Sequence, residues 1–153
     1  MYRSRREVFV SAHSIRLHGP WYFLEIREPD EAVLRHATTE APIASMNRFR
    51  FEDAASTLAT SFDDSTSLLL IRPFRQPTGL TPSCGLLVTV QSLQKIGVVW
   101  LNGQRLTASA TDDSTYAVDS PLLMQNRLGV LLNVVSPDAP LLSSASLIIK
   151  DES

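Results

Sequence analysis

Apolar residues recur at every second position along much of this chain, in short runs separated by turn-forming residues. After Gly85, Leu86, Val88 and Val90 alternate with Leu87, Thr89 and Gln91. Successive side chains of a strand point to opposite faces, so period two marks a strand with one face toward a core. Leu128, Val130, Leu132 and Val134 line one face of a second run, and Gly129, Leu131, Asn133 and Val135 the other. A strand apolar on both faces is expected at the centre of its sheet or covered on both sides. Trp21 to Arg27, Ser67 to Arg72, Ile96 to Leu101 and Ser146 to Lys150 read as further strands, with Val8 to Val10 and Asn47 to Phe51 as shorter candidates. Turn residues intervene, among them Gly19-Pro20, Glu28-Pro29-Asp30, Thr81-Pro82-Ser83 and Asp112-Asp113-Ser114. Such spacing predicts an all-β fold, a two-sheet antiparallel sandwich or jelly roll. Helical periodicity is confined to Glu52 to Thr60, whose Ser and Thr content predicts at most one or two short helical turns.

Asn102-Gly103 is the sharpest local signal. It follows Val98-Val99-Trp100-Leu101 and precedes Gln104-Arg105-Leu106. Asn and Gly accept the positive φ angles of a type I′ turn, whose twist matches paired strands, so a tight hairpin is expected. Trp100 shares a strand face with Ile96 and Val98 in this reading, which predicts a core position.

A chain of 153 residues with 44% apolar residues can form one domain that buries roughly 70% of its unfolded surface. The expected domain spans 1–153, with 1–7 and 151–153 as disordered ends. The net charge of -2 argues against a nucleic-acid partner, because phosphate neutralisation needs a basic face. Arg3, Arg5 and Arg6 read as a solvated start rather than a binding arm. Cys84, the one cysteine, rules out an intrachain disulfide. No signal peptide is visible, and no apolar run approaches the ~20 residues of a membrane helix. A cytoplasmic location without a membrane partner is the default expectation. Oligomeric state is not legible.

Several segments, in order, resemble one family. Val99-Trp100-Leu101-Asn102-Gly103-Gln104-Arg105-Leu106 resembles the "WLNG" hairpin of the sugar-binding domain of family 2 glycoside hydrolases, a galactose-binding-domain-like jelly roll. His18-Gly19-Pro20-Trp21-Tyr22 is similar to the "GPW" strand of such modules, and Arg72-Pro73-Phe74-Arg75-Gln76-Pro77 to their "RRxFxxP" strand. Tyr116-Ala117-Val118, Leu122-Leu123 and Asn126-Arg127-Leu128 resemble their closing "FDVTxLL…NxL" segment. The resemblance covers roughly Leu17 to Val134. It implies a jelly roll and an accessory role beside a barrel that carries the catalytic glutamates, a barrel this chain does not contain. The family's Gly-rich loop after the hairpin is replaced here by Ala108 to Thr115.

No residue set suggests catalysis. Ser92-Leu93-Gln94-Lys95 matches Ser-x-x-Lys, but the companion elements of that chemistry are missing and the segment reads as a strand end. His13, His18 and His36 lack metal-ligand spacing. Asp63-Asp64 and Asp112-Asp113 could offer carboxylates to calcium, although paired Asp is ordinary turn chemistry. No metal and no cofactor are expected. If a sugar binds, Trp21 or Tyr116 is the expected stacking ring, with Arg72 or Asp113 as a polar contact. The function expected is thus a non-catalytic accessory or binding module whose partner is a carbohydrate. The alternative is a structural or protein-interaction sandwich whose partner is another protein. The patterning predicts a far-UV circular dichroism spectrum of β type; a helix-dominated spectrum would contradict it.

Overall fold

A computed structural model describes residues 11–58, 67–81, 84–109 and 112–151. Two antiparallel sheets pack face to face. One has the order β1 (Ser11–Arg16), β11 (Ser144–Asp151), β5 (Cys84–Gln91), β9 (Thr115–Val118), β8 (Thr107–Ala108). The other runs β3 (Asn47–Phe49), β2 (Trp21–Ile26), β4 (Ser67–Arg75), β10 (Gln125–Asn133), β6 (Lys95–Leu101), β7 (Gln104–Arg105). The all-β sandwich expected from the alternation is therefore observed. Among the described residues no helix is long and apolar enough to cross a membrane. Val8 to Val10, the basic start and the Asp63-Asp64 pair lie outside the described residues. β11 reaches Asp151, which pairs with Ser11 and Cys84.

Between the sheets, Val88, Val90 and Leu147 from one side meet Leu68, Leu70 and Val130 from the other, all at most 1% exposed. The opposite face of the six-stranded sheet is buried too. There Leu69, Ile71 and Trp100 pack under a segment containing helix α1 (Glu31–Ala37), through Leu34, Ala37, Ala41 and Met46. This explains the two apolar faces of β10, which lies between β4 and β6.

The sequence pattern gave no sign of α1, because two turns carry too few apolar positions for a period. Its termini were the readable signal. Asp30 caps the start, accepting a hydrogen bond from the Val33 amide at 2.9 Å, and Arg35 and His36 sit in the last turn, where cations favour the helix dipole. Among the described residues of the predicted helical stretch a single 3₁₀ turn forms, Ala55–Thr57, and a second turn occupies Ile43–Ser45.

The Asn102-Gly103 hairpin forms as expected, with φ of 51° and 83°. Trp100 is buried, at 3% exposure, but Ile96 does not share its face. Val98 opposes Leu131 and Ile96 opposes Leu132, so Gly97 is the extra residue of a bulge. The bulge sends Ile96 to the inter-sheet core while Val98 and Trp100 face α1.

Two glycines allow α1 to dock. A Cβ on Gly129 would lie 2.6 Å from Thr38 Cγ2, and one on Gly103 would lie 2.8 Å from Thr39 Cγ2. Thr38 donates its hydroxyl to the Leu34 carbonyl at 2.8 Å and accepts the Gly103 amide at 3.0 Å. Arg127 donates to the carbonyls of Ala37 at 3.2 Å and Ala41 at 2.5 Å.

Gly129→Ala should therefore destabilise the protein by about 1–3 kcal/mol through overpacking. Thr38→Ser in that background should recover part of the loss, since it removes Cγ2 and keeps the hydroxyl. Gly103→Val should cost a similar amount, on the order of 1–3 kcal/mol, because its φ is positive. Chemical denaturation checks all three; an unchanged midpoint for Gly129→Ala would refute the docking geometry.

Candidate functional site

The β1–β2 connection is fastened from two sides. The Leu17 amide donates to the Ala145 carbonyl at 2.8 Å, and the Trp21 indole N–H donates to the Leu17 carbonyl at 2.8 Å. Arg72 reaches across from β4 and donates to the carbonyls of His18 and Pro73. Gly19-Pro20, with a cis peptide bond, completes this wall. The facing wall is the chain leaving β3. Its turn is closed by Asp53, whose carboxylate accepts from the Arg50 amide at 2.9 Å. A cleft of about 540 Å³ lies between the walls, within the size range of small-ligand sites.

Aromatic rings form its floor. His18 and Phe51 have centroids 6.5 Å apart, Phe51 and Trp21 6.0 Å, and Trp21 and Phe49 6.3 Å, all tilted. This ladder leads from solvent into the core, and only Phe51 and His18 keep exposed surface. Arg48, Arg50, Glu52 and Asp53 form the rim. The Arg50–Glu52 pair is 3.9 Å apart with both side chains largely exposed, so it holds neither group firmly. An apolar floor beneath exposed donors and acceptors suits a hydroxylated ring. His18 is the cleft's one imidazole, and no described carboxylate lies within ion-pair reach to activate it as a base.

The four residues expected to contact a ligand do not assemble into one site. Trp21 and Arg72 lie together beside the cleft, whereas Tyr116 and Asp113 belong to the other sheet's side. The expectation that Trp21 or Tyr116 offers a stacking face is corrected by burial. Trp21 is 0% exposed and Tyr116 8%. Trp21 enters the core because its position on β2 opposes Phe49 and faces the second sheet. Tyr116 opposes Val88 and faces the same core. Burial pushes the Tyr116 hydroxyl above its ordinary value, and the charge of Asp113 adds to the effect. Arg72 is half-buried, which lowers its guanidinium somewhat, and it spends donors on backbone carbonyls.

Other candidates resolve into structure. Ser92 donates its hydroxyl to the Leu141 carbonyl at 2.7 Å and accepts the Gln94 amide at 2.9 Å. Gln94 is buried; its side chain accepts from the amides of Val135 and Ser136 and donates to the Ser136 carbonyl. Asp112 accepts from the Ser114 amide and hydroxyl and from Thr115, bonds that hold its carboxyl below the usual range. His36 approaches Glu40 at 3.8 Å on the surface of α1. Among the described residues no group of three metal-ligating side chains converges.

Solved structures supply a comparison. The chain superposes on a beta-glucuronidase from Ruminococcus gnavus in complex with D-glucuronic acid with a TM-score of 0.66 and 14% identity, covering 97% of this chain and 31% of that one. This fold is shared with beta-glucuronidases. A calcium-binding mutant of Bacteroides uniformis beta-glucuronidase 2 gives a TM-score of 0.65 at 13% identity, covering 91% and 18%. A beta-glucuronidase from glycoside hydrolase family 2 gives 0.60 at 12% identity, covering 92% and 18%. The chain thus spans less than a third of the length of each, and its likeness is to the β-sandwich expected from the hairpin and strand motifs. No family model matches the sequence, and no curated protein matches it.

The sequence reading missed Phe51, Arg48, Arg50 and Glu52 as cleft residues. Alternating aromatic and charged residues in Arg48-Phe49-Arg50-Phe51-Glu52-Asp53 were the available signal, visible only once the run is known to leave a strand beside Gly19-Pro20.

The raised hydroxyl of Tyr116 makes a pH prediction. Its protonated form is favoured by folding, so its contribution to stability is complete below the ordinary tyrosine value of 10.0 and is lost as pH rises through the higher folded-state value. Tyr116→Phe should flatten the fall in stability above pH 10 when denaturation is followed against pH. An equally steep fall in the variant would show that Tyr116 does not contribute to it.

Proposed function

We propose that this protein is a non-catalytic carbohydrate-binding accessory module that takes a sugar in the cleft between His18–Pro20 and Arg48–Asp53. The observation that carries the reading is the cleft itself, with a half-exposed Phe51 at its floor and charged donors and acceptors at its rim. Phe51 would stack on the apolar face of a pyranose. Arg48, Arg50, Glu52 and Asp53 would exchange hydrogen bonds with its hydroxyls. The fold shared with part of family 2 beta-glucuronidases supports an accessory role. The non-catalytic part of the proposal is supported by the structural engagement of Ser92 and Asp112 and by the isolation of His18 from described carboxylates.

Sugars are well hydrated, and each hydroxyl exchanges water for protein at small net gain. Dissociation constants from micromolar to millimolar are expected, about -8 to -4 kcal/mol. Titration calorimetry against a panel of mono- and disaccharides tests this. Phe51→Ala should weaken binding about tenfold, roughly 1.4 kcal/mol, and Arg50→Ala should weaken it further, while Asp113→Ala, in the turn before β9, should leave it unchanged. Binding unaffected by Phe51→Ala and Arg50→Ala together would contradict the cleft.

A second reading, a protein-interaction domain, has its own observation. Leu123 and Met124 are 57% and 80% exposed, yet their backbone is fastened. The Leu123 amide and carbonyl both bond to Asn126, and the Met124 carbonyl accepts from Gln76. A rigid apolar tip is what a protein partner would use as an anchor. Absence of binding to the whole sugar panel would shift preference to this reading.

A further inference from the structure

A second cavity, of about 470 Å³, opens at another place, between the β4–β5 connection and the β9–β10 connection. Leu80, Leu86, Val118 and Leu122 form its walls. They are the ends of the inter-sheet core: Leu122 is 6% exposed, and the other three pack against the core while remaining half-exposed. Among the described residues the sandwich is thus left open at this end. The thiol of Cys84 lies on the wall, in contact with the Thr81 hydroxyl at 3.3 Å.

The polar groups at the mouth include three acceptors. One Gln76 side-chain N–H points back to the Leu122 carbonyl at 3.4 Å, which leaves its second N–H as a donor and its amide oxygen as an acceptor. Ser120 donates its hydroxyl to Gln104 at 2.5 Å, which also leaves an acceptor. Asp119, on the same rim, is exposed, and its carboxylate can only accept. Beside these groups the Asp119 carboxylate favours a ligand that brings a hydrogen-bond donor and no negative charge. Apolar walls penalise a cation that must shed water to enter. The volume lies within the range of small-molecule sites, and apolar lining with a few placed polar groups is their usual make-up.

We propose that this cavity binds a neutral ring-sized molecule with an apolar face and at least one hydroxyl group, its ring between Leu80, Leu86, Val118 and Leu122 and its hydroxyl donating to Asp119. This site is separate from the sugar cleft and stands or falls independently of it.

The sole cysteine reports on the site directly. Alkylation of Cys84 by iodoacetamide is followed in the intact protein with increasing phenol, alongside backbone amide shifts. Phenol should slow alkylation severalfold and shift the amides of Leu86, Val118 and Asp119. Benzoate, with the same ring and a carboxylate, should do neither. In Asp119→Asn, an exposed substitution that the amide spectrum can verify as folded, benzoate should gain ground on phenol. Unchanged alkylation and shifts across the millimolar range of phenol would overturn the proposal. Equal protection by benzoate in the native protein, or phenol shifts centred on other residues, would overturn it as well.

Discussion

The six-stranded sheet carries apolar side chains on both faces, and much of the molecule answers the need to cover them. One face is covered by the second sheet, through Val88, Val90 and Leu147. The other would leave Leu69, Ile71 and Trp100 in water, where each such side chain forgoes about 1.5–3 kcal/mol of burial. The segment holding α1 covers it with Leu34, Ala37 and Met46. That cover must come close, and the bare backbone of Gly129 beneath Thr38 is where it does. Thr38, Arg127 and the Gly103 amide then satisfy polar groups around the end of α1. The Trp100 indole N–H is the one buried side-chain donor or acceptor left without a partner among the described residues.

This arrangement explains why the recognisable motifs do not form the candidate site. Asn102 and Asn126 bond to each other at 2.8 Å, and Asn102 also accepts the Arg127 amide. Asn126 closes the Leu123 turn. Arg72 and Trp21 fasten the β1–β2 connection. Each motif directs its hydrogen bonds inward, so the groups that face the cleft are side chains around them. In the cleft these are Phe51 and the charged residues on either side of it, which leave the short edge strand β3.

Legibility followed the range of the interactions involved. Strands β2, β4, β5, β6, β10 and β11 were readable from alternation, and the hairpin from Asn102-Gly103, because both depend on neighbours in sequence, whereas β1 and β8 went unread. Ile96 was assigned the wrong face because one extra residue at Gly97 reverses the alternation, and period alone cannot reveal a bulge. Trp21 and Tyr116 were named as stacking rings for any bound sugar, although their strand partners, Phe49 and Val88, direct them to the core. The cleft depends on His18 meeting Phe51 across 32 intervening residues, a relation that only the pairing of β2 with β3 brings about. The folded structure also placed α1, whose short apolar stripe has meaning only against Trp100 and Ile71.

The central claim is that recognition resides in the cleft beside Gly19-Pro20 rather than on the buried tryptophan and tyrosine or at the apolar tip. Mapping backbone amide shifts during titration with the sugar panel tests it most directly. The account expects changes centred on His18–Trp21 and Arg48–Asp53, with Thr115–Val118 silent. Changes centred instead on Thr115–Val118, or on Leu123 and Met124, would contradict it.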